Sequence, residues 1–545
     1  MTIRSLFHYF IIKNYLSVIC VFSLFISCTQ KKITKEEHLV FKYNEHSNVA
    51  SLDPAFARTQ STIWAVHQLY NGLVQLDDKL HIQPDIAKHW SISSDALTYT
   101  FTIRNDVYFH KHPLFGEDST RTVKATDIAY SFSRLLDPKV AAPGKWVLNN
   151  VEQFHAINDS IFSITLKEPF PAFLGLLTTK YCSVVPKEIV EHFGNDFRKN
   201  PIGTGPFQFK RWEENVKLVF RKNTLYYEKD AHGASLPYLE AVAITFLPDK
   251  QSEFLQFVQG NIDFLNSLDA SYKDELLTTQ GSLKPKYQQK ITMNTAPYLN
   301  TEYLGIFMKN DVPEAQSEAL RKAINYGFDR KKMMQYLRNN IGTPATNGII
   351  PQGLPGFNNL QGYDYQPEKA KELIQAFREE TSINQPQITI STDGNYVDVC
   401  EYIQRELEKI GIKTTIDVIP SATLRQSKAT GKLAIFRASW IADYPDAENY
   451  LSLFYSKNFA PNGPNYTHFS NVQFDQWYES ATKEIDENKR IKLYQKMDSL
   501  LISKAPIVPL YYDQSIRFTQ KNVSGLGSNP INLLTLKYVK KTPAN

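Results

Sequence analysis

The sequence predicts an α/β protein made of more than one domain, and three observations carry that prediction. The chain has 545 residues, too many for a single hydrophobic core, so roughly two to four domains are expected. Helical and strand periods of apolar residues alternate along its length. In the second half, Gln387 to Ser391 reads as a strand. Cys400, Ile403, Leu407 and Ile410 follow as one helical stripe that Gly411 ends. Ile412, Thr414, Ile416 and Val418 then alternate as a second strand. Strand, helix and strand in this order form a βαβ unit.

Leu97 to Phe109 alternates as a hairpin would, with Asn105-Asp106 at its turn. Ala125, Ala129, Phe132 and Leu136 lie at helical spacing, and Asp137-Pro138 stops that helix. Phe207 to Phe220 reads as two strands around Glu213-Glu214-Asn215. Ala241 to Leu247 is another strand, and Gln251 to Val258 is a helix ended by Gly260. Ala319, Leu320, Ala323 and Ile324 make a helical stripe. Ala370, Leu373, Ile374 and Phe377 make another, entered through Pro367, a residue suited to the first helical position. Ile491, Tyr494, Met497 and Leu501 give a late helix. Asn339 to Tyr363 is dense in Gly, Pro and Asn and reads as a long loop, either functional or a plain surface excursion.

The N-terminus has the layout of an export signal. Arg4 and Lys13 are followed by the apolar run Tyr15 to Ile26, then Ser27-Cys28 and the polar Thr29-Gln30-Lys31-Lys32. A small residue directly before Cys resembles a bacterial lipobox, with Phe25 where Leu is usual. The alternative is an uncleaved anchor, although the charge-free stretch from Asn14 to Gln30 is shorter than the ~20 residues of a spanning helix. Either way the rest of the chain is exported and tethered, with Cys28 as the expected lipidation site and residues 28–38 as the tether.

Composition narrows the function. The formal charge of +5 becomes +3 without Arg4 and Lys13, and such a balance does not make a nucleic-acid surface. Cys182 and Cys400 remain after processing. They are expected as two buried thiols, with pairing left open. The chain's 33 Phe, 30 Tyr and 6 Trp fill cores first and can also line a ligand cleft. Zinc motifs, a nucleophile elbow and a phosphate-cradling loop are all missing from the sequence. Gly203-Thr204-Gly205-Pro206 reads as a tight turn, since Pro206 lacks the N–H a phosphate nest would use. No enzyme, cofactor or metal site is therefore expected.

One constellation stands out, running from Arg437 through Trp440 and Asp443 to Glu448. Apolar Leu433 to Phe436 makes it the end of a buried strand, on which Arg437, Ser439, Ile441 and Asp443 share a face. Fully extended, the cation and the anion lie up to ~20 Å apart. They could meet the two ends of an extended zwitterion, or each could have its own structural partner. Trp440 faces the opposite way, into a lobe core. The cluster of acids also leaves a glycosidase pair as an alternative.

Here the chain resembles a known family, the extracellular solute-binding proteins of oligopeptide and dipeptide importers, family 5. The resemblance rests on Ser51-Leu52-Asp53-Pro54-Ala55, Tyr70-Asn71-Gly72-Leu73-Val74 and Pro84-Asp85-Ile86-Ala87 with Trp90. It continues through Tyr99 to Arg104 leading into Val107-Tyr108-Phe109-His110, then Gly203 to Phe207, Gly260-Asn261-Ile262-Asp263, and Phe328-Asp329-Arg330. The family's turn after His110 is replaced by an insertion reaching Thr122.

This resemblance implies a two-lobed, periplasmic-binding-protein-like α/β fold of type II, in the large peptide-binding subclass with an extra inserted subdomain. Lobe I would comprise 39–60, 195–290 and 509–545, the inserted subdomain 61–194, and lobe II 291–508. It also implies that Asp443 holds a peptide amine and Arg437 a peptide carboxylate. Ser439 and Ile441, with Val49 and Ala50 from the opposite lobe, would pair with the peptide backbone, and Trp440 belongs to the same motif. The partners implied are short peptides and the permease of an ABC transporter, with the protein a monomer on the outer side of the membrane. Within the same fold, an oligosaccharide, a nickel complex or an opine is the alternative ligand. A secreted hydrolase is the alternative outside it.

Overall fold

The computed structural model describes residues 39–543 except 268, 270, 310, 360 and 361. The signal-like segment and Cys28 lie outside the described residues. One large mixed sheet of 11 strands organises the chain. Its order is Lys413–Val418, Gln387–Thr392, Ile435–Ile441, Ile291–Ile306, Ile507–Gln520, Phe264–Asn266, Val40–Asn44, Ala241–Thr245, Lys217–Lys222 and Phe207–Glu213, with Thr343–Pro344 added beside Ile507–Gln520. A separate four-stranded antiparallel sheet orders Ala87–Ile92, Thr98–Ile103, Ile161–Leu166 and Val151–Asn158. Among the described residues no helix is long and apolar enough to cross a membrane.

The two long strands Ile291–Ile306 and Ile507–Gln520 join the lobes. Residues 291–297 pair with 514–520, on the half where Phe264–Asn266 also pairs with Arg517 to Thr519. Residues 300–306 pair with 435–441 on the other half. Between Pro297 and Thr301 the register shifts. Pro297 has no N–H for the ladder, and such an irregularity loosens pairing and lets strands bend. The expected lobe limits at 290/291 and 508/509 lie near the ends of these strands, whereas their partners change in mid-strand.

The βαβ reading holds residue by residue. Ile388 sits opposite Thr414 and Ile390 opposite Ile416 in a parallel pair, with Val397–Lys409 between the strands. Gly411 turns the chain at φ 92°. The three helical stripes of this half converge on one core: Leu320, Ala323, Ile324, Ala370, Ile374, Phe377, Cys400, Ile403 and Leu407 are packed together. The helices they belong to are Glu318–Tyr326, Pro367–Thr381 and Val397–Lys409.

The hairpin expected over Leu97 to Phe109 does not form. Thr98–Ile103 lies instead between Ala87–Ile92 and Ile161–Leu166. Val107 and Phe109 turn away to meet the inserted segment, with Phe109 N donating to Arg121 O and Val123 N to Val107 O. Local alternation fixed the strand but not its long-range partner. The helix Gln60–Leu69 packs in the lobe I core through Trp64, Ala65, Val66 and Leu69, and Val185, Ile189 and Val190 join it there. The expected start of the subdomain at residue 61 thus falls inside a lobe I helix. The loop Asn339 to Tyr363 is anchored in lobe II, where Ile349, Ile350 and Leu354 are buried and Ile349 N donates to the Asp498 carboxylate at 2.9 Å. Cys182 and Cys400 are both buried and free.

The Gly203-Thr204-Gly205 turn is wedged against the end of Gln60–Leu69. A Cβ on Gly203 would lie 2.1 Å from the Leu69 carbonyl oxygen, so only glycine fits. Buried His110 braces this turn: its Nδ1 accepts from Gly203 N at 3.2 Å, which fixes Nε2–H as donor to Gly205 O at 3.1 Å. Burial lowers the His110 pKa to about 4, against a smaller opposing effect of the Gly205 hydrogen bond. The unfolded chain therefore binds the proton first, and stability is lost as pH falls from about 6.5 towards about 4. The expected loss from this group is about 3 kcal/mol. Denaturant titrations of native protein and His110→Asn across this range check it, since the variant should show a shallower fall.

Candidate functional site

Lobes I and II and the subdomain enclose a cavity of about 230 Å³. Ala57, Arg58, Gln60, Ile63, Trp64 and His67 line it from lobe I. Thr178 to Tyr181 and Trp146 line it from the subdomain, and Ile441, Ala442, Asp443 and Tyr298 from the lobe II side. A second hollow of about 610 Å³ continues from it between subdomain and lobe II, sharing Trp146, Tyr181 and Asp443 as walls. A larger hollow of about 980 Å³ is lined by lobe I and subdomain residues such as Ala50, Asp53 and Arg134. Among the described residues no lobe II residue lines it, so it is not an interlobe cavity in this structure.

The strand Ile435–Ile441 places the site. Phe436 and Ala438 are buried in the lobe II core and Trp440 packs on it, whereas Arg437, Ser439 and Ile441 alternate onto the other face. On one edge all of residues 435–441 pair with Ile291–Ile306. On the other edge Gln387–Thr392 pairs only with Ile435 and Phe436, so from Arg437 onward no strand among the described residues covers that edge.

Asp443 follows directly. Its side chain reaches solvent through the cavity yet is hemmed in by surrounding protein. Desolvation raises its pKa, and a hydrogen bond from Asn449 opposes the rise. The Asn449 Nδ2 contact to Asp443 Oδ2 is long, at 3.4 Å, and no cation pairs with this carboxylate among the described residues. Asn449 positions the turn: its Oδ1 accepts from Trp440 Nε1 at 2.8 Å and from Asp443 N at 3.2 Å. Burial, with Asp443 adding to it, pushes the Tyr181 hydroxyl up to about 12, so it stays a neutral donor.

Arg437 has a different fate from the one expected. Its Nη2 lies 2.5 Å from Glu302 Oε2 and its Nη1 3.9 Å from Asp393 Oδ2, and its guanidinium covers the Tyr396 ring. Burial disfavours the cation, but Glu302 more than offsets this and Arg437 stays above its ordinary value. Glu302 sits beside the strand irregularity, where Asn300 Nδ2 bonds both Glu302 at 3.1 Å and Asp513 at 3.3 Å, and Arg338 pairs with Asp513 at 2.9 Å. Arg437 thus belongs to a network at the junction of the lobes, not to the cavity wall.

The remaining expected residues are placed as follows. Ile441 lines the cavity, Trp440 lines the adjoining hollow, and Ser439 lies on the open-edged strand. Val49 is buried in the lobe I core, and Ala50 borders the large hollow, where its carbonyl accepts from Arg198 at 3.4 Å. The segment after them is held by the Asp53–Arg134 ion pair, and the turn Pro54–Phe56 then delivers Ala57 to Gln60 to the cavity instead. Asn449, Tyr181, Trp146, Arg58, His67 and Lys180 were not anticipated. Only Asn449, within the same motif as Asp443, carried a sequence signal.

The lobes meet beside the site. Tyr444, next to Asp443, is buried in the core of the subdomain, and Lys483 pairs with Glu168 at 3.0 Å.

Comparison with known proteins defines the class. Residues 81–462 match the bacterial extracellular solute-binding proteins, family 5, middle region, and the chain belongs to that family. It is 24% identical over 491 residues to the glutathione-binding protein GsiB of Salmonella choleraesuis, covering 89% of this chain and 91% of that one. To the dipeptide-binding protein DppE of Bacillus subtilis it is 24% identical over 549 residues, covering 94% and 93%. The fold matches the periplasmic binding protein DppA of Helicobacter pylori in complex with peptide STSA, with TM-score 0.78, 24% identity and coverage of 92% and 98%. These relatives are all named as binding proteins, for solutes, glutathione or dipeptides.

Proposed function

We propose that this protein captures short peptides between its lobes outside the cytoplasm and hands them to the permease of an ABC importer. One observation carries the reading: an acid without an ion-pair partner, Asp443, faces an interlobe cavity beside an open strand edge. A peptide amine would neutralise that carboxylate through a charge-assisted bond. Main-chain groups of Ser439 and Ile441 would take the peptide backbone as an added strand, a mode that ignores side-chain identity. Relatives named for glutathione and dipeptides make small peptides the nearest ligand chemistry. Ligand contacts to both lobes would favour the closed arrangement.

The protein would act as a monomer held at the membrane by lipid on Cys28. Loss of labelled-lipid incorporation in Cys28→Ser checks that attachment. Mass spectrometry of ligand released from the purified protein tests the main reading. Short peptides are expected, and a sugar, a metal complex or an opine in their place would contradict it.

A further inference from the structure

The inner end of the interlobe cavity carries a second uncompensated charge. Behind the cavity lies a hollow of about 10 Å³ that shares His67, Gln75 and Lys180 with it. Lys180 makes no side-chain hydrogen bond or ion pair among the described residues. Its acidic neighbours are committed elsewhere. Asp85 accepts from Asn71 Nδ2 at 2.8 Å, Gly72 N at 3.2 Å and Tyr227 OH at 2.6 Å. Glu228 pairs with Lys537 at 2.6 Å. Lys180 is therefore a half-buried cation without a direct counter-charge. Burial lowers its pKa to about 8, Lys537 adds to the fall, and Asp85 opposes it.

His67 lies beside it. Its Nε2 is 3.2 Å from Thr535 Oγ1, and its Nδ1 is buried with no partner. Burial, followed by the Lys180 and Lys537 charges, holds the ring well below its ordinary pKa, so it is neutral. In the tautomer in which the Thr535 hydroxyl donates to Nε2, the proton resides on Nδ1 and is a donor that lacks an acceptor. A cation and an N–H donor, both short of an acceptor, form a receptor for a carboxylate.

The other cations near the cleft are less suited. Arg437 is already neutralised by Glu302, and Arg58 is exposed at the rim. Asp443 stands on the lobe II wall of the same cavity and lacks a cation, just as Lys180 lacks an anion.

We propose that Lys180 and His67 hold the carboxylate of a zwitterionic ligand whose amine is held by Asp443. This rests on the peptide reading and narrows it to peptides with both termini free. Asp443, Lys180 and His67 all line the one cavity of about 230 Å³, so a ligand whose amine and carboxylate reach both ends there is a short peptide of about two or three residues, below the ~300–1,000 Å³ of pockets for drug-sized ligands. Lys180 and His67 are thus specificity-determining residues that select for a free C-terminus.

Titration calorimetry on the full chain tests this, with alanyl-alanine, trialanine and their C-terminal amides as probes. The native protein is expected to bind the free acids at least ~30-fold more tightly than the amides, as for loss of a charged hydrogen-bond partner. Lys180→Met should bring that ratio to within about threefold of unity, Lys180→Arg should retain most of it, and His67→Leu should lower it about fivefold. Equal binding of acid and amide by the native protein overturns the proposal, as does an unchanged ratio in Lys180→Met. Should that variant not fold, an unchanged ratio in His67→Leu overturns it equally. If Asp443→Asn still weakens binding while the ratio ignores Lys180, the carboxylate is held elsewhere and the peptide reading stands. If the native protein binds none of the probes, both fall.

Discussion

Asp443→Asn is expected to weaken binding of short peptides by about 2 kcal/mol, roughly thirtyfold, because a charge-assisted hydrogen bond closed over by the lobes becomes a neutral one. The side chain keeps its shape, so the Asn449 clasp on the turn and the fold should persist. A thermal melt like that of the native protein would confirm that only the charge has changed. The pH dependence carries the same sign. Desolvation raises the Asp443 pKa and Asn449 offsets only part of this. Affinity should therefore fall as acid protonates the carboxyl, beginning at a higher pH than for an ordinary aspartate, and Asp443→Asn should flatten that fall. Unchanged affinity in calorimetry would remove Asp443 from the site.

The second large effect is on stability. Arg437→Met leaves Glu302, only 2% exposed as a side chain, without its main counter-charge. Removing one partner of a buried pair costs about 3–5 kcal/mol, whereas replacing both can be nearly neutral. Arg437→Met and Glu302→Gln are each expected to lower the unfolding free energy on that scale, and the double variant should recover much of it. Denaturant titration measures all three. Arg437→Met should also leave the preference for free acid over amide intact where the fold survives. A collapse of that preference with little change in stability would return Arg437 to the role the resemblance first suggested.

These two residues show what could be read in the sequence and what could not. The strand phase from Arg437 to Ile441 was legible because side chains alternate with a period of two, and Trp440 duly turns to the core. The βαβ unit and the three helical stripes were legible for the same reason, since periodicity is a local property. Partners distant in sequence were not. Glu302, which claims Arg437, lies 135 residues earlier. The neighbours of Thr98–Ile103 likewise depended on strands outside the supposed hairpin.

Val49 and Ala50 were placed on the cavity by analogy, but the Asp53–Arg134 ion pair and the turn after it set that wall at Ala57 to His67. Lys180 and His67 belong to no motif. They matter because the fold sets an unpaired cation and an unpaired N–H donor against one cavity, which no local pattern encodes. Asp443 could be singled out because its motif is short and contiguous.

The central claim is that a ligand's free amine is anchored by the Asp443 carboxylate, and the native protein tests it directly. Calorimetry should compare alanyl-alanine and trialanine with their N-acetylated forms, in which the amine can no longer carry charge. The account predicts that acetylation weakens binding at least ~30-fold. Acetylated and free peptides bound with equal affinity would contradict it.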